Sequence, residues 1–215
     1  MLMNRMESTL IDSPPRRFVQ RFEAARLTTL GSRTPGARVA ELGCGPGYGT
    51  KLILDVFGAA SVDAVDLDPA MITKAARRLT RYQGRVNLAE GSATDLASAF
   101  ASFGGGQDNE YDAVFDFAVI HHIPRWPDAC AEVARVLRPG GRFFFTEVTA
   151  TALARPSYQK LFDHPTEDRF TAGEFLAELP RHGLDVADRW STYIGSDYLL
   201  GVATRLSSEP GHHHG

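Results

Sequence analysis

A glycine-rich segment carries the residues whose types and spacing point most directly to chemistry in this chain of 215 residues. It reads Glu41-Leu42-Gly43-Cys44-Gly45-Pro46-Gly47-Tyr48-Gly49 and stands between an apolar run and a helix-like pattern. Glycines at a turn from strand to helix let the backbone approach a ligand closely and point free N–H groups at it. Any nucleotide-binding α/β protein could use such a turn, so the glycines alone do not identify the ligand.

Glu41 narrows the class of ligand. It stands two residues before Gly43, at the predicted end of the strand, where a ligand would lie. A carboxylate at that place repels a pyrophosphate and attracts a cation. Tyr48 also occupies the position of the third glycine in the dinucleotide-binding fingerprint, so the spacing departs from that pattern. The nucleotide-like cofactor with positive charge and no phosphate is S-adenosylmethionine.

The rest of the chain alternates between strand-like and helix-like patterns. Alternation of this kind predicts a parallel sheet with right-handed crossovers and helices on both faces. Gly195-Ser196-Asp197 predicts the turn of an antiparallel hairpin near the end of the chain. The predicted strands are 37–43, 61–67, 85–91, 111–120, 141–149, 184–194 and 197–206, and the predicted helices are 13–31, 46–57, 69–82, 94–103, 126–138 and 171–182. The predicted fold class is α/β, a single-domain Rossmann-like seven-stranded mostly parallel sheet with a C-terminal antiparallel hairpin.

Four motifs in register carry a resemblance to a known family. The chain resembles the class I S-adenosylmethionine-dependent methyltransferases, and among them the small-molecule, type 11-like members. The resemblance covers residues 37–206 and implies S-adenosylmethionine as cofactor and a small organic acceptor as substrate. The motifs are Val39–Gly47, Val62–Pro69, Tyr111–Phe115 with Ile120–Ile123, and Arg135–Gly141.

The resemblance implies a set of cofactor-binding residues. Gly43, Gly45 and Gly47 would contact the cofactor, and Glu41 would face its methionine end. Asp116 would contact the cofactor ammonium. The complete set of expected cofactor-binding residues is Glu41, Gly43, Gly45, Gly47, Asp66, Leu67, Ser92, Ala93 and Asp116.

Two positions in this set leave alternatives open. Asp66 ends the second strand and would accept the ribose hydroxyls, whereas Asp68 before a proline is better suited to cap the next helix. Ser92 stands where family members often carry an aspartate that holds the adenine amino group. Backbone groups of Ala93 or the side chain of Asp95 are alternatives for that contact.

His121 and His122 are the candidate catalytic residues. They follow the fourth strand at its carboxyl end, where open α/β sheets bind ligands. A histidine there could deprotonate an acceptor hydroxyl or amine, since its unperturbed pKa is about 6.5. Packing or capping of the loop before Pro124 is an equally supported interpretation, and Glu147 is a second candidate base.

The composition limits which partners and which cellular location we expect for this protein. Lys and Arg number 23 against 26 Asp and Glu, so a net charge of −3 gives no global signal for nucleic acid. Cys44 and Cys130 are too few for a disulfide framework or a four-thiolate zinc site, and no metal site is predicted. With neither a signal peptide nor a membrane-spanning run in the pattern, we expect a cytoplasmic protein without a membrane partner. The oligomeric state stays open.

The expected domain organisation is an N-terminal helical cap over 1–36, a methyltransferase domain over 37–206 and a disordered tail over 207–215 that includes His212, His213 and His214. In this fold the cap and an insertion near 151–170 usually build the acceptor site. Their apolar residues predict a partly aromatic pocket, namely Phe18, Phe22, Leu153, Tyr158, Leu161 and Phe162. Arg16, Arg17, Arg21 and Arg26 could attract an anionic substrate or form a solvated helix face.

Methyl transfer to a small acceptor is therefore the predicted function. A non-methylating S-adenosylmethionine-binding protein would share the first three motifs and stays an alternative. A nicotinamide-dependent oxidoreductase on a similar sheet is a further alternative, which Glu41 and Tyr48 disfavour.

Overall fold

The structure of the protein is a computed structural model that describes residues 12–155 and 168–207. The predictions for the first eleven residues, for Tyr158, Leu161 and Phe162 and for the histidine-containing tail lie outside the described residues. The helices are α1 (Pro14–Gly31), α2 (Tyr48–Leu52), α3 (Pro69–Arg78), α4 (Leu96–Ala99), α5 (Trp126–Val136), α6 (Ala150–Leu153) and α7 (Ala172–Glu178). The strands are β1 (Arg38–Leu42), β2 (Ser61–Asp66), β3 (Val86–Glu90), β4 (Tyr111–Phe117), β5 (Leu137–Val148), β6 (Leu184–Asp185), β7 (Trp190–Tyr193) and β8 (Tyr198–Arg205).

One mostly parallel sheet runs through the molecule in the order β3-β2-β1-β4-β5-β8-β6, with β7 also paired to β8. Strands β1 to β5 pair in parallel, and β8 is antiparallel to β5, β6 and β7. The predicted Rossmann-like sheet with an antiparallel end is therefore confirmed. The predicted count of seven strands is wrong, because the run 184–194 forms two strands rather than one.

Local backbone geometry explains this break. Ala187 adopts a φ of 49°, a left-handed conformation that interrupts an extended strand. The Asp185 side chain accepts the N–H of Ala187 at 3.3 Å, which holds the turn between β6 and β7. Both short strands still pair with β8, so the expected antiparallel arrangement survives the break.

Alternating residues of the central strands face two separate hydrophobic cores. Val114 and Phe145 face the core that α5 and α7 cover, whereas Phe115 and Phe144 face the core that α1 and α2 cover. The rings of Phe115 and Phe144 stack with centroids 4.5 Å apart, and the ring of Phe57 meets both edgewise. Central strands that are buried on both faces need apolar residues on both faces. Because helices cover both cores, the prediction of helices on both faces of the sheet is confirmed.

The capping signals of the sequence are present in the structure. Ser13 caps α1 before Pro14, and Thr171 and Glu174 form a capping box where α7 begins, close to the predicted start of the helix 171–182. Several predicted lengths are wrong. The predicted helix 46–57 begins at Tyr48 and ends in a π-helical turn, and the predicted helix 94–103 contains only the four residues of α4 with a short 3₁₀ turn after it.

The predicted strand 111–120 ends early, and this matters for the site. β4 stops at Phe117 because Ala118 takes a φ of 66°. A 3₁₀ turn over Ile120–His122 follows, so the histidine pair stands on a tight turn rather than on an extended strand end. Within the described ranges, the structure contains no helix long and apolar enough to cross a membrane and no His/Cys/Asp/Glu cluster suited to a metal ion.

Candidate cofactor and active site

A cavity of about 640 Å³ opens at the carboxyl ends of the parallel strands, where open α/β sheets bind ligands. Its volume lies in the usual range for small-molecule and cofactor sites. The predicted site residues that line it are Gly43, Gly45, Asp66, Leu67, Ser92, Ala93, His121 and His122. The predicted residues Glu41, Gly47 and Asp116 are outside its lining.

The three glycines of the turn have different structural roles. Gly43 has a φ of 54°, and a β-carbon there would lie 2.5 Å from both methyl groups of Val119, which lines the cavity. Gly45 donates its N–H to Asp66 Oδ2 at 2.7 Å and also lines the cavity. Gly47 has a φ of 83° at the start of α2, and a β-carbon there would lie 3.1 Å from Ala75. Gly43 and Gly45 therefore shape the cavity, and Gly47 permits the close packing of α3.

The structure separates the two candidate acids at the end of β2. Asp66 lines the cavity while its carboxylate accepts the N–H groups of Gly45 and Asp68 at 2.7 and 2.9 Å. Asp68 instead caps α3 by accepting the N–H of Ala70 at 2.8 Å, as its place before Pro69 predicts. A carboxylate can accept further hydrogen bonds on its remaining lone pairs, so Asp66 stays the candidate partner for ribose hydroxyls.

Glu41 lies behind the glycine turn rather than in the cavity wall. Its carboxylate accepts the hydroxyl of Thr50 at 2.5 Å, and a β-carbon at Gly49 would collide with it. Burial raises the pKa of Glu41 to about 8, and the charges of Asp66 and Asp116 add to the rise. Glu41 is therefore outside the cavity lining, and its contact with the methionine end of a cofactor stays a prediction.

The third strand end contributes Ser92 and Ala93 to the cavity. Ser92 Oγ lies 2.7 Å from the hydroxyl of Thr94 and accepts the Thr94 N–H at 3.2 Å. Asp95 caps α4 by accepting the N–H of Ser98, and it does not line the cavity. Of the alternatives for adenine contact, Ser92 and Ala93 line the cavity and Asp95 does not.

His121 forms a buried pair with Glu147. His121 Nδ1 lies 2.6 Å from Glu147 Oε2, and both residues line the cavity. Glu147 also accepts the backbone N–H groups of Ile120 at 2.7 Å and His121 at 3.3 Å, which fixes the 3₁₀ turn to the end of β5. A carboxylate that accepts Nδ1–H holds the imidazole in the tautomer whose proton-accepting lone pair is on Nε2. The sequence named both residues as separate candidates but did not predict the pair.

A third carboxyl group completes this cluster. Asp116 is fully buried, accepts the Val119 N–H at Oδ1 at 2.9 Å and lies against Glu147, while its Oδ2 meets no hydrogen-bond donor among the described residues. Burial raises the pKa of Asp116 and of Glu147, and their mutual repulsion raises that of Asp116 further. Two carboxylates cannot hydrogen-bond without a proton between them, and Glu147 accepts more N–H groups, so we place the proton on Asp116. Asp116 thus supports Glu147 and does not reach the cavity.

His122 has a different environment from His121. It lines the cavity, its ring centroid lies 4.1 Å from that of His121, and its backbone N–H donates to Val119. The carboxylate of Glu147 lies 2.6 Å from Nδ1 of His121 and fixes the orientation of that ring. The structure therefore supplies the reason to prefer His121 that the sequence lacked.

The opposite wall of the cavity contains residues that the sequence did not single out. Glu23 of α1 is buried, and both of its carboxylate oxygens accept from Nη1 of Arg16, Oε1 at 3.2 Å and Oε2 at 3.1 Å. Oε1 also accepts the hydroxyl of Tyr193 at 2.6 Å. Burial and the Glu23 carboxylate raise the pKa of Tyr193, which keeps its hydroxyl a donor. The ring of Tyr193 stacks on Tyr198 at 4.9 Å. In the sequence, the one signal for this contact is the position of Glu23, which falls on the predicted buried face of α1.

The predicted aromatic acceptor pocket is corrected in part. Arg16, Val19 and Glu23 confirm that α1 borders the cavity. Phe18 and Phe22, however, are exposed to solvent. Leu153 is outside the cavity lining and packs in a small cluster with Ala152 and with Val148, of which only Val148 lines the cavity. Among the described residues, the Phe and Tyr side chains that line the cavity are Phe117, Tyr193 and Tyr198.

The residues around the cavity fit a cationic, nucleotide-like ligand. Asp66 and Glu147 line the cavity, and Glu41 and Asp116 lie directly beneath it, so four carboxyl groups converge on one place. Burial raises the pKa of all four carboxyl groups, and repulsion from a neighbouring carboxylate adds to the rise at Glu41, Asp66 and Asp116. A positive charge nearby would favour their ionised forms. The absence of a side chain at Gly43 lets Val119, which lines the cavity, pack directly against the backbone of the turn. S-adenosylmethionine, with its ammonium and sulfonium groups, matches this environment.

Comparisons with known proteins agree with the geometry. A family profile described as a methyltransferase domain matches residues 39–141. The fatty-acid O-methyltransferase of Mycolicibacterium smegmatis is 33% identical over 150 residues, which are 70% of this chain and 47% of that protein. A solved S-adenosylmethionine dependent methyltransferase from Mesorhizobium loti has a TM-score of 0.67 at 17% identity, covering 84% of this chain and 96% of that one. The solved [4+2]-cyclase SpnF has a TM-score of 0.69 at 16% identity, covering 89% and 81%.

The fold and the acid-lined cavity thus define a Rossmann-like domain built for a cationic, nucleotide-like cofactor. With the matching profile and relatives, the chain belongs to the class I S-adenosylmethionine-dependent methyltransferase family. The chain spans about half the length of the curated relatives it matches, at 40%, 47% and 59% for three of them.

Proposed function

We propose that this protein transfers a methyl group from S-adenosylmethionine to the oxygen of an acidic hydroxyl, such as a phenol, on a small and largely apolar acceptor. The observation that carries the proposal is the His121–Glu147 pair in the cavity wall. We also propose that the protein is cytoplasmic. The proposed cofactor contacts are Gly43, Gly45, Asp66, Ser92 and Ala93.

The bound cofactor would supply an electrophilic methyl group, activated by the positive charge on its sulfur. Asp66 and the glycine turn would hold the nucleoside part beside β2. The cluster of carboxyl groups favours the charged cofactor on binding. Orientation of the two reactants can contribute roughly 7–11 kcal/mol to the barrier reduction in favourable cases, so positioning is the largest task of the cavity.

His121 would accept the proton of the acceptor hydroxyl at Nε2. The pair with Glu147 holds the ring and stabilises the imidazolium that forms. A phenolic hydroxyl, with a pKa of about 10, is within reach of a histidine base, whereas an aliphatic alcohol is far less acidic. The apolar part of the acceptor would pack against side chains such as Val19, Phe117 and Ile194.

The similarity to a fatty-acid O-methyltransferase supports oxygen as the acceptor atom and an apolar acceptor. It also favours a second candidate, a fatty-acid carboxylate. A carboxylate is already ionised near neutral pH and needs no base. The two candidates therefore differ in whether turnover depends on His121.

Release of S-adenosylhomocysteine with 4-hexylphenol and with decanoic acid as acceptors tests the proposal. We expect His121→Ala and Glu147→Gln to lower turnover of the phenol by roughly 10²–10⁴-fold, with cofactor affinity nearly unchanged. Turnover by the unaltered protein should rise with pH as His121 loses its proton. His182→Ala is the matched control, because His182 pairs with Glu178 at 2.9 Å outside the cavity lining.

Three results would contradict the proposal. If His121→Ala turns over the phenol as fast as the unaltered protein, His121 is not the general base. Efficient methylation of decanoic acid alone, insensitive to His121, assigns the carboxylate instead. Cofactor binding without release of product over a broad acceptor panel would favour the non-methylating alternative, which the likeness to a [4+2]-cyclase keeps open at the level of fold. Binding of reduced nicotinamide dinucleotide in place of S-adenosylmethionine would favour an oxidoreductase.

A further inference from the structure

Two aromatic side chains of α1 point away from the core. Phe18 is 76% exposed and Phe22 is 49% exposed, one helical turn apart. The residues of α1 that face the core are Gln20, Glu23, Ala24 and Leu27. At about 100° per residue, Phe18 and Phe22 lie on the side of the helix opposite to these. An exposed aromatic stripe at this spacing is unusual for a surface helix and indicates an interaction surface.

The charges that flank this stripe are positive. Arg21 and Arg26 are exposed on either side of it and make no ion pair with any group in 12–155 or 168–207. The acidic residue of α1, Glu23, is buried and neutralised by Arg16. Aromatic residues flanked by arginines, without an exposed acid, are the pattern of helices that lie on anionic lipid surfaces.

The same helix borders the mouth of the cavity. Val19, next to Phe18, lines the cavity, and so does Ile194, which is 65% exposed on the turn before β8. The edge of the Phe22 ring meets Tyr193, another lining residue, with centroids 6.1 Å apart. An apolar acceptor dissolved in a bilayer could therefore reach the cavity without crossing water.

We propose that the solvent face of α1, defined by Phe18, Arg21, Phe22 and Arg26, binds the surface of an anionic lipid bilayer and holds the cavity mouth against it. This differs from the sequence-based expectation of no membrane partner, because that expectation addressed only segments that span a bilayer. Lipid binding is independent of turnover, so it can hold even if the proposed acceptor is wrong.

Sedimentation with vesicles tests this surface. We compare vesicles of phosphatidylcholine alone with vesicles of equal parts phosphatidylcholine and phosphatidylglycerol. The unaltered protein should bind the anionic vesicles at least tenfold more tightly, and binding should weaken between about 0.1 M and about 1 M salt as charges are screened. Phe18→Ser/Phe22→Ser should weaken binding at least tenfold, and Arg21→Glu/Arg26→Glu at least 30-fold.

Two control variants make the same kinds of substitution at exposed positions outside α1. Leu206→Ser replaces another exposed apolar side chain, and Arg138→Glu/Arg181→Glu makes the same charge change at exposed positions of other elements. Both controls should bind vesicles like the unaltered protein. All variants should bind S-adenosylmethionine with unchanged affinity in calorimetry, which shows that the fold is intact.

Equal binding of neutral and anionic vesicles, or no binding of either, would overturn the proposal. So would full vesicle binding by Phe18→Ser/Phe22→Ser. Concentration-dependent dimers in sedimentation velocity that disappear in the same variant would assign the face to a second copy of the chain instead.

Discussion

Replacement of Glu41 by Gln tests the electrostatics beneath the glycine turn. Glutamine keeps the shape of the protonated acid and can still bond to the hydroxyl of Thr50. It removes the ability to ionise at a fully buried position next to Asp66 and Asp116. The variant therefore isolates the effect of one buried charge on the folded state.

The magnitude follows from the pKa shift. The pKa of Glu41 rises from 4.5 to about 8 in the folded protein, mainly through burial. A carboxyl whose folded pKa is raised contributes stability that is fully present below the unfolded pKa and is lost as the pH rises through the folded pKa. At about 1.4 kcal/mol per pKa unit, the protein should lose on the order of 3–5 kcal/mol between pH 4.5 and 8 from this group alone.

Urea unfolding of the cofactor-free protein from pH 5 to pH 8 measures this loss. The stability of Glu41→Gln relative to the unaltered protein should increase steadily across that range, by several kcal/mol. Asp66, Asp116 and Glu147 also have raised pKa values, and the part of their contribution that does not depend on Glu41 is common to both proteins. The repulsion of Glu41 by Asp66 and Asp116 is part of the measured difference, because the variant removes it. Glu90→Gln, at an exposed strand position, is the control and should show a flat difference. A flat difference for Glu41→Gln as well would refute the assignment of a buried, neutral carboxyl.

Two further predictions concern the cavity wall. Gly43→Ala should lower the free energy of unfolding in urea by about 2–4 kcal/mol, because the new side chain would have a left-handed φ and would also lie 2.5 Å from Val119. Gly84→Ala, which also has a left-handed φ but open space around it, should cost about 1 kcal/mol. Equal costs would show that Val119 relaxes freely. Asp66→Ala should weaken S-adenosylmethionine binding in calorimetry by about 1–3 kcal/mol, whereas Asp68→Ala should lower stability by about 1 kcal/mol as a lost cap. The reverse pattern would exchange the roles of the two acids.

The sequence by itself determined the parts of this protein that local patterns encode. Caps and glycine turns depend on neighbouring residues, and for that reason Asp68, the capping box at Thr171 and the turn at Gly43 were predictable. Strand and helix periodicity fixed the parallel sheet and the edge at which its ligand site lies. The boundaries were less predictable, because single backbone conformations such as those of Ala118 and Ala187 end strands within apolar runs.

Only the tertiary structure decided which polar groups meet. His121 and Glu147 are 26 residues apart and join because β4 and β5 are neighbours and a 3₁₀ turn follows β4. Glu23 and Tyr193 are 170 residues apart and meet because α1 packs beside β8. The sequence predicts Glu41 as a cofactor contact, whereas in the structure its carboxylate lies beside Gly49, accepts the hydroxyl of Thr50 and is outside the cavity lining. Contacts of this kind depend on strand order and side-chain direction, which residue spacing along the chain does not encode.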